Sequence, residues 1–222
     1  MTDEPALQLY AYWRSMAAYR VRVALNLKGI RAQEIPVNLE AGEQLAPEFL
    51  AVNPEGAVPA LIEPGQPPLT QSTAILEYLD ERFPEPPLLP KDLRARARVR
   101  SLAALIVSDT HPMIMPRVRH YLVTHAGFDD AAWRAWAINW VRRGVTAMET
   151  RLAGDPATGG FCHGDQVTIA DICLASLVVV AKGLGLQFEL SDIPTVTRIC
   201  ARCEEIDAFE RANPMRQIGA QV

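Results

Sequence analysis

The chain has 222 residues, 49% of them hydrophobic and 22% charged, with a net charge of −4. That length suits one large domain or two modest ones, and the composition is ordinary for a soluble globular protein. No basic run interleaves with aromatics, which excludes a nucleic-acid footprint, and the most apolar stretch, residues 172–181, is too short to span a bilayer.

The first residues, Met1-Thr2-Asp3-Glu4-Pro5, are acidic and hold no signal-peptide core, so a cytoplasmic location is expected. Residues 7–12 alternate like a strand. Ser15 can cap a helix that runs through Arg20 and Arg22 to Lys28 and stops at Gly29. Residues 33–38 make a second strand, and a βαβ unit of this kind implies parallel strands with a right-handed crossover. A short helix is expected over 44–52. Ala60-Leu61-Ile62 reads as a third strand, and Pro64-Gly65-Gln66-Pro67 turns the chain into a brief fourth. A helix over 72–82, with Ile75, Leu76 and Leu79 on its apolar face, closes this part.

Two segments here carry the chemical signal. Val58-Pro59 lies between a loop and a strand, where a cis bond costs only about 0.5–1 kcal/mol. A cis bond would turn Val58's N–H and carbonyl outward as a short strand edge to which an extended peptide could add. Gln71-Ser72 stands where a helix begins, with free N–H groups and a positive dipole end facing an anion. Together they could hold a small peptide carrying a carboxylate.

Phe83-Pro84-Glu85-Pro86-Pro87-Leu88-Leu89-Pro90 has four prolines and reads as an extended linker. The expected division is a domain over 1–83, a linker over 84–90 and an all-helical domain over 91–222. Long helices are expected over about 94–123 and 129–153, then a glycine-rich loop over 154–164 and a helix over about 194–206. In Val167-Thr168-Ile169-Ala170-Asp171-Ile172, Thr168 is a good N-cap and Asp171 sits at capping-box spacing, holding a buried helix start. The four cysteines are Cys162, Cys173, Cys200 and Cys203. Cys200-x-x-Cys203 has redox or metal spacing, but on a helix with no second pair it reads as two packed thiols, and no metal site is expected.

A βαβ unit, a Val-Pro loop, a β-hairpin and a helix make the thioredoxin-like pattern. With an all-helical domain behind it, the chain resembles a cytosolic glutathione transferase over almost its whole length. The run from Leu9 through Tyr19-Arg20-Val21-Arg22-Val23-Ala24-Leu25 to Ile30 is similar to the zeta class, which includes maleylacetoacetate and maleylpyruvate isomerases. Asn53-Pro54 through Pro59, Gln71-Ser72, Glu77-Tyr78-Leu79 and the Thr168–Asp171 box match as well.

The resemblance implies glutathione as cofactor, a homodimer, and a role in aromatic amino acid catabolism. Ser15 would approach the sulfur as the catalytic residue. Gln44 would bind the glycine end, Val58 would pair its backbone with the cysteinyl residue, and Gln71 and Ser72 would hold the γ-glutamyl carboxylate. Arg20 lies in the matching motif, with a ligand or a structural role, and His111 could hydrogen-bond in the pocket. A free thiol titrates near pH 8.5, and a tenfold shift toward the anion takes about 1.4 kcal/mol. One hydrogen bond from Ser15 plus a helix dipole of about 0.3–1 kcal/mol suffices for that.

Departures from the zeta pattern are Met16 and Ala17, where the class has serine and cysteine; the apolar run His111–Pro112–Met113–Ile114–Met115–Pro116, where it is often polar; and Gly183, about where isomerases carry a carboxylate-binding arginine. Without cysteine in the Ser15–Ala18 loop, dithiol chemistry and mixed-disulfide deglutathionylation are not expected. The reading favoured is isomerisation of a small unsaturated diacid, with Arg14, Arg117, Arg119 and Lys182 as candidate cations. The alternatives are conjugation of an apolar electrophile against Met16, Ile114 and Met115, and a non-catalytic binding module.

Overall fold

The computed structural model describes residues 7–186, 188 and 192–220. The acidic run Met1 to Pro5, on which the absence of a leader was read, lies outside the described residues. The chain forms two compact units, one of residues up to Pro87 joined by those from Ile206 onward, the other Leu88–Glu205.

In the first unit, strands β1 (Leu7–Ala11), β2 (Ala32–Pro36), β3 (Ala60–Ile62) and β4 (Leu69–Thr70) form a sheet in the order β2-β1-β3-β4. β1 and β2 are parallel, with Leu9 opposite Glu34, and β3 is antiparallel to both β1 and β4. This is the expected βαβ unit followed by a hairpin. Helix α1 (Met16–Leu27) crosses between the parallel strands, and helix α3 (Ser72–Arg82) packs against it through Ile75, Leu76 and Leu79, all fully buried.

The short helix expected over 44–52 is instead a 3-10 turn, Glu43–Leu45, and a four-residue helix, α2 (Pro47–Leu50). Pro47 supplies no N–H to a continuous helix but suits a first helical position. Lys28, at the end of α1, has a fully buried side chain. Its ammonium gives all three donors to Asp80 Oδ1 at 2.8 Å and the carbonyls of Phe83 and Pro86 at 2.7 and 2.6 Å. The tail expected to belong to the helical domain packs in this first unit. Its helix α9 (Asp207–Arg211) lies against α1, where Asn26 Nδ2 donates to the Ala208 carbonyl at 2.9 Å.

Among the described residues, the regular elements of the second unit are helices. The long helix expected over 94–123 is broken into α4 (Leu93–Ala104), a π-helical stretch (Leu105–Thr110), a 3-10 turn (His111–Ile114) and α5 (Pro116–His125). Pro112 and Pro116 withdraw backbone donors and their rings collide with the preceding turn. Helices α6 (Asp130–Ala153), α7 (Ile169–Gly183) and α8 (Pro194–Glu204) complete the bundle. Gly144 on α6 is needed for packing: a Cβ there would meet Thr110 Oγ1 at 2.4 Å. Glu149 on α6 caps α8 from a distance, its carboxylate accepting the N–H groups of Thr195 and Val196 at 3.1 and 2.8 Å. Among the described residues, no helix is long and apolar enough to cross a membrane.

Asp171 organises the start of α7, as expected. Its Oδ1 accepts the Cys162 N–H at 2.6 Å, and its Oδ2 accepts the Thr168 N–H at 2.8 Å and the Thr168 hydroxyl at 2.7 Å. Burial pushes its carboxyl above the usual range, while these hydrogen bonds oppose the shift. Asp171→Asn keeps the shape but sets an amide donor against a backbone donor. It should lower stability by about 2–4 kcal/mol, seen as a lower urea midpoint with an unchanged m-value.

Candidate functional site

The site is built at the end of β1. Beyond Ala11 the chain makes a turn closed by the Ser15 N–H donating to the Tyr12 carbonyl at 3.0 Å. Ser15 has extended backbone angles and N-caps α1, its Oγ accepting the Ala18 N–H at 3.2 Å. A hydroxyl has two acceptor positions and one donor, so capping leaves the proton available. Among the described residues nothing takes it. Met16 and Ala17 follow, both buried, so the one hydroxyl at this helix start is that of Ser15.

The Val58–Pro59 bond is cis, as the sequence invites, and Glu85–Pro86 is cis as well. Val58 lies in an apolar cluster with Tyr12, Val37 and Phe49. β3 begins two residues on, where Ala60 pairs with Tyr10 and Thr70. Among the described residues, no group bonds to the N–H or carbonyl of Val58, so one donor and one acceptor are unpaired at that point. Asn53, 2% exposed, shapes the approach, its amide donating to the Ala57 carbonyl at 2.6 Å and its oxygen accepting the Glu55 N–H at 3.1 Å.

Gln71 has φ 67° and ψ 110°, the one positive φ outside glycine among the described residues. Such a conformation costs on the order of 1–3 kcal/mol and collects at ligand clamps. It turns the chain so that α3 starts at Ser72 with its first N–H groups outside the helix's own bonding. Ser72 is buried and its Oγ accepts Arg20 Nε at 3.1 Å. Arg20 is 1% exposed, so it supports Ser72 from the core. The Gln71 side chain donates to Glu55 Oε2 at 2.7 Å, and Glu55 is an acid that the sequence reading passed over. Gln44 lies in the 3-10 turn with a buried Oε1 that has no hydrogen-bond partner among the described residues. Leaving such an acceptor unmet costs about 1–3 kcal/mol.

In the second unit, His111 opens the 3-10 turn and is half-buried, as are Ile114 and Met115. The turn is held where Trp136 Nε1 donates to the Met113 carbonyl at 2.7 Å. Three of the four candidate cations are in exposed ion pairs: Arg14 with Glu40, Arg119 with Asp130 and Lys182 with Glu204. Arg117, exposed on α5, pairs with no carboxylate among the described residues.

All four cysteines are free and buried. Burial pushes the Cys200 thiol up to about 12 and those of Cys162 and Cys203 well up, each raised further by the Asp171 charge. Cys200 and Cys203 are therefore two packed, buried thiols, as the sequence reading has them. Native protein at pH 7 should take up less than about one equivalent of a small alkylating reagent, and all four thiols should react once the chain is unfolded in urea; mass spectrometry of the intact chain reads both.

The family model for the glutathione S-transferase N-terminal domain matches residues 5–81, and that for the C-terminal domain matches residues 130–202. The chain is 42% identical to a maleylpyruvate isomerase of Ralstonia sp, covering 95% of this chain and 98% of the relative. It is 45% identical to a maleylacetoacetate isomerase of Rhizobium meliloti, covering 94% and 96%. A crystal structure of a maleylacetoacetate isomerase from Methylobacterium extorquens AM1, with bound malonate and glutathione, superposes with a TM-score of 0.93 at 48% identity. It covers 97% of this chain and all of that one.

Proposed function

From a chain that belongs to the glutathione S-transferase family, among the zeta-class maleylacetoacetate and maleylpyruvate isomerases, we propose a glutathione-dependent cis-trans isomerase of small unsaturated diacids. The observation that carries it is the open main-chain edge at Val58, facing no partner of its own. It is joined by the strained Gln71 at the start of α3 and by a Ser15 hydroxyl with a proton to give. These groups fit a tripeptide with one thiol and two terminal carboxylates.

In this reading Val58 holds the cysteinyl residue by backbone pairing. Ser72 and the first amides of α3 take the γ-glutamyl carboxylate, and the Glu55 carboxylate beside Gln71 balances the neighbouring ammonium. Gln44 takes the glycine end. Arg20 is a positioning residue for Ser72. Bound glutathione supplies the nucleophile, a thiolate whose reversible addition to a conjugated cis double bond permits rotation. Ser15 donates a hydrogen bond to sulfur, and the N-terminal end of α1 favours the anion electrostatically. Of the four candidate cations, Arg117 is the one without a carboxylate partner among the described residues.

The same reading makes the enzyme a cytoplasmic homodimer in aromatic amino acid catabolism. The dimer is supported by the exposure of Leu93 (83%) and Tyr121 (61%).

Ser15→Ala should cut isomerase kcat on maleylacetoacetate or maleylpyruvate about tenfold or more at neutral pH while changing glutathione affinity little. Ser72→Ala should do the converse, weakening glutathione binding about tenfold by calorimetry. Absence of saturable glutathione binding by the parent protein would end this reading.

Conjugation of an apolar electrophile has one observation in its favour, the lack of a cation at Gly183. An added Cβ there meets nothing within 4 Å, so a side chain is tolerated. If diacids are the substrate and that cation is merely missing, Gly183→Arg should raise kcat/KM on maleylpyruvate about tenfold. A gain confined to neutral electrophiles supports conjugation instead.

A further inference from the structure

We propose that Arg22 and Glu34 form a positioning pair that fixes the turn carrying Ser15, so that the thiolate-stabilising hydroxyl is aimed from the core. This rests on the role given to Ser15 above.

Arg22 is 5% exposed, on the second turn of α1, and Glu34 is on β2. The guanidinium grips the carboxylate at two points, Nε to Oε2 at 2.8 Å and Nη2 to Oε1 at 2.6 Å. The same guanidinium reaches the loop. Nη2 donates to the Tyr12 carbonyl at 3.3 Å and Nη1 to the Trp13 carbonyl at 3.2 Å. The Tyr12 carbonyl is also the acceptor that closes the turn with the Ser15 N–H.

A continuous path therefore runs from the Glu34 carboxylate through Arg22 to the Tyr12 carbonyl and on to the Ser15 amide. Ser15 is fixed at a second point by its cap to Ala18. The geometry is specific to arginine. A planar fork can meet a carboxylate edge and two carbonyls at once, whereas an ammonium is a point charge. Charge-assisted donors hold the two carbonyls more firmly than water would, and a displacement of about 1 Å at a reacting group can cost on the order of a hundredfold in rate. The residues that hold the tripeptide, Val58, Gln71 and Ser72, bond to neither Arg22 nor Glu34 among the described residues. The pair should therefore act on the sulfur and not on affinity.

The test uses full-length Arg22→Lys, Glu34→Gln and Ser15→Ala. Measurements are calorimetry with reduced glutathione, the ultraviolet absorbance of the bound thiolate against pH, and kcat and KM for isomerisation. Arg22→Lys should lower kcat about tenfold or more at neutral pH, with KM for glutathione within about threefold. The lost rate should return as pH approaches the free thiol's range near 8.5. Glu34→Gln should act in the same direction and keeps the test alive should Arg22→Lys fold poorly. If both variants shift the unfolding midpoint but leave the thiolate titration and kcat as in the parent, while Ser15→Ala changes them, the pair is structural and the proposal fails alone. If Ser15→Ala leaves the thiolate titration unmoved, the role of Ser15 itself falls.

Discussion

Helix α1 is buried over ten consecutive residues, from Met16 to Leu25, and two of them are arginines. A guanidinium cannot be deprotonated in a protein interior, so each must find partners inside or the helix cannot sit there. Both find them at the ends of neighbouring elements. Arg20 meets the hydroxyl of Ser72 at the start of α3, and Arg22 meets Glu34 and the carbonyls of the turn before Ser15. Satisfying the buried charge and fixing the loops at Ser72 and Ser15 are one requirement. The thioredoxin-like sheet supplies the frame; the two arginines fix where the loops lie on it.

The second unit meets its polar demands in the same way, by long-range caps. Glu149 serves the start of α8, Asp171 the start of α7, and Arg98 ties the glycine-rich loop to α4 through Asp155, Thr158 and the Cys162 carbonyl. These ties leave the four cysteines buried, and burial raises the thiols of Cys162, Cys200 and Cys203 above their ordinary range. The break between α4 and α5, set by two prolines, produces the turn with His111, Ile114 and Met115 half-buried.

Much of this was legible in the residues. The order β-α-β, then hairpin and helix, follows from period-two and helical spacing together with Gly29 and Pro64-Gly65 as punctuation. Ser15 as a cap, the cis-prone Val58-Pro59 and the Thr168–Asp171 box were readable too, because each depends on side chains within a few positions. The single long helix over 94–123 was misread because its apolar spacing continues through Pro112 and Pro116. The helix over 44–52 was misread by the same neglect of Pro47. Glu55 was missed because an acid in a polar loop carries no local signal. It gains meaning only beside Gln71, sixteen residues on.

By itself the sequence determined most of the first unit's elements, the local caps at Ser15 and Thr168 and the two segments read as able to receive a peptide, since local geometry depends on neighbours a turn or two away. Only the tertiary structure decided which buried charge meets which partner. Arg20 and Ser72 are separated by 52 positions, Arg22 and Glu34 by 12, and Lys28 and Asp80 by 52. Such pairings depend on strand register and on which face of a helix the sheet covers, and an isolated string of residues specifies neither without the packed core.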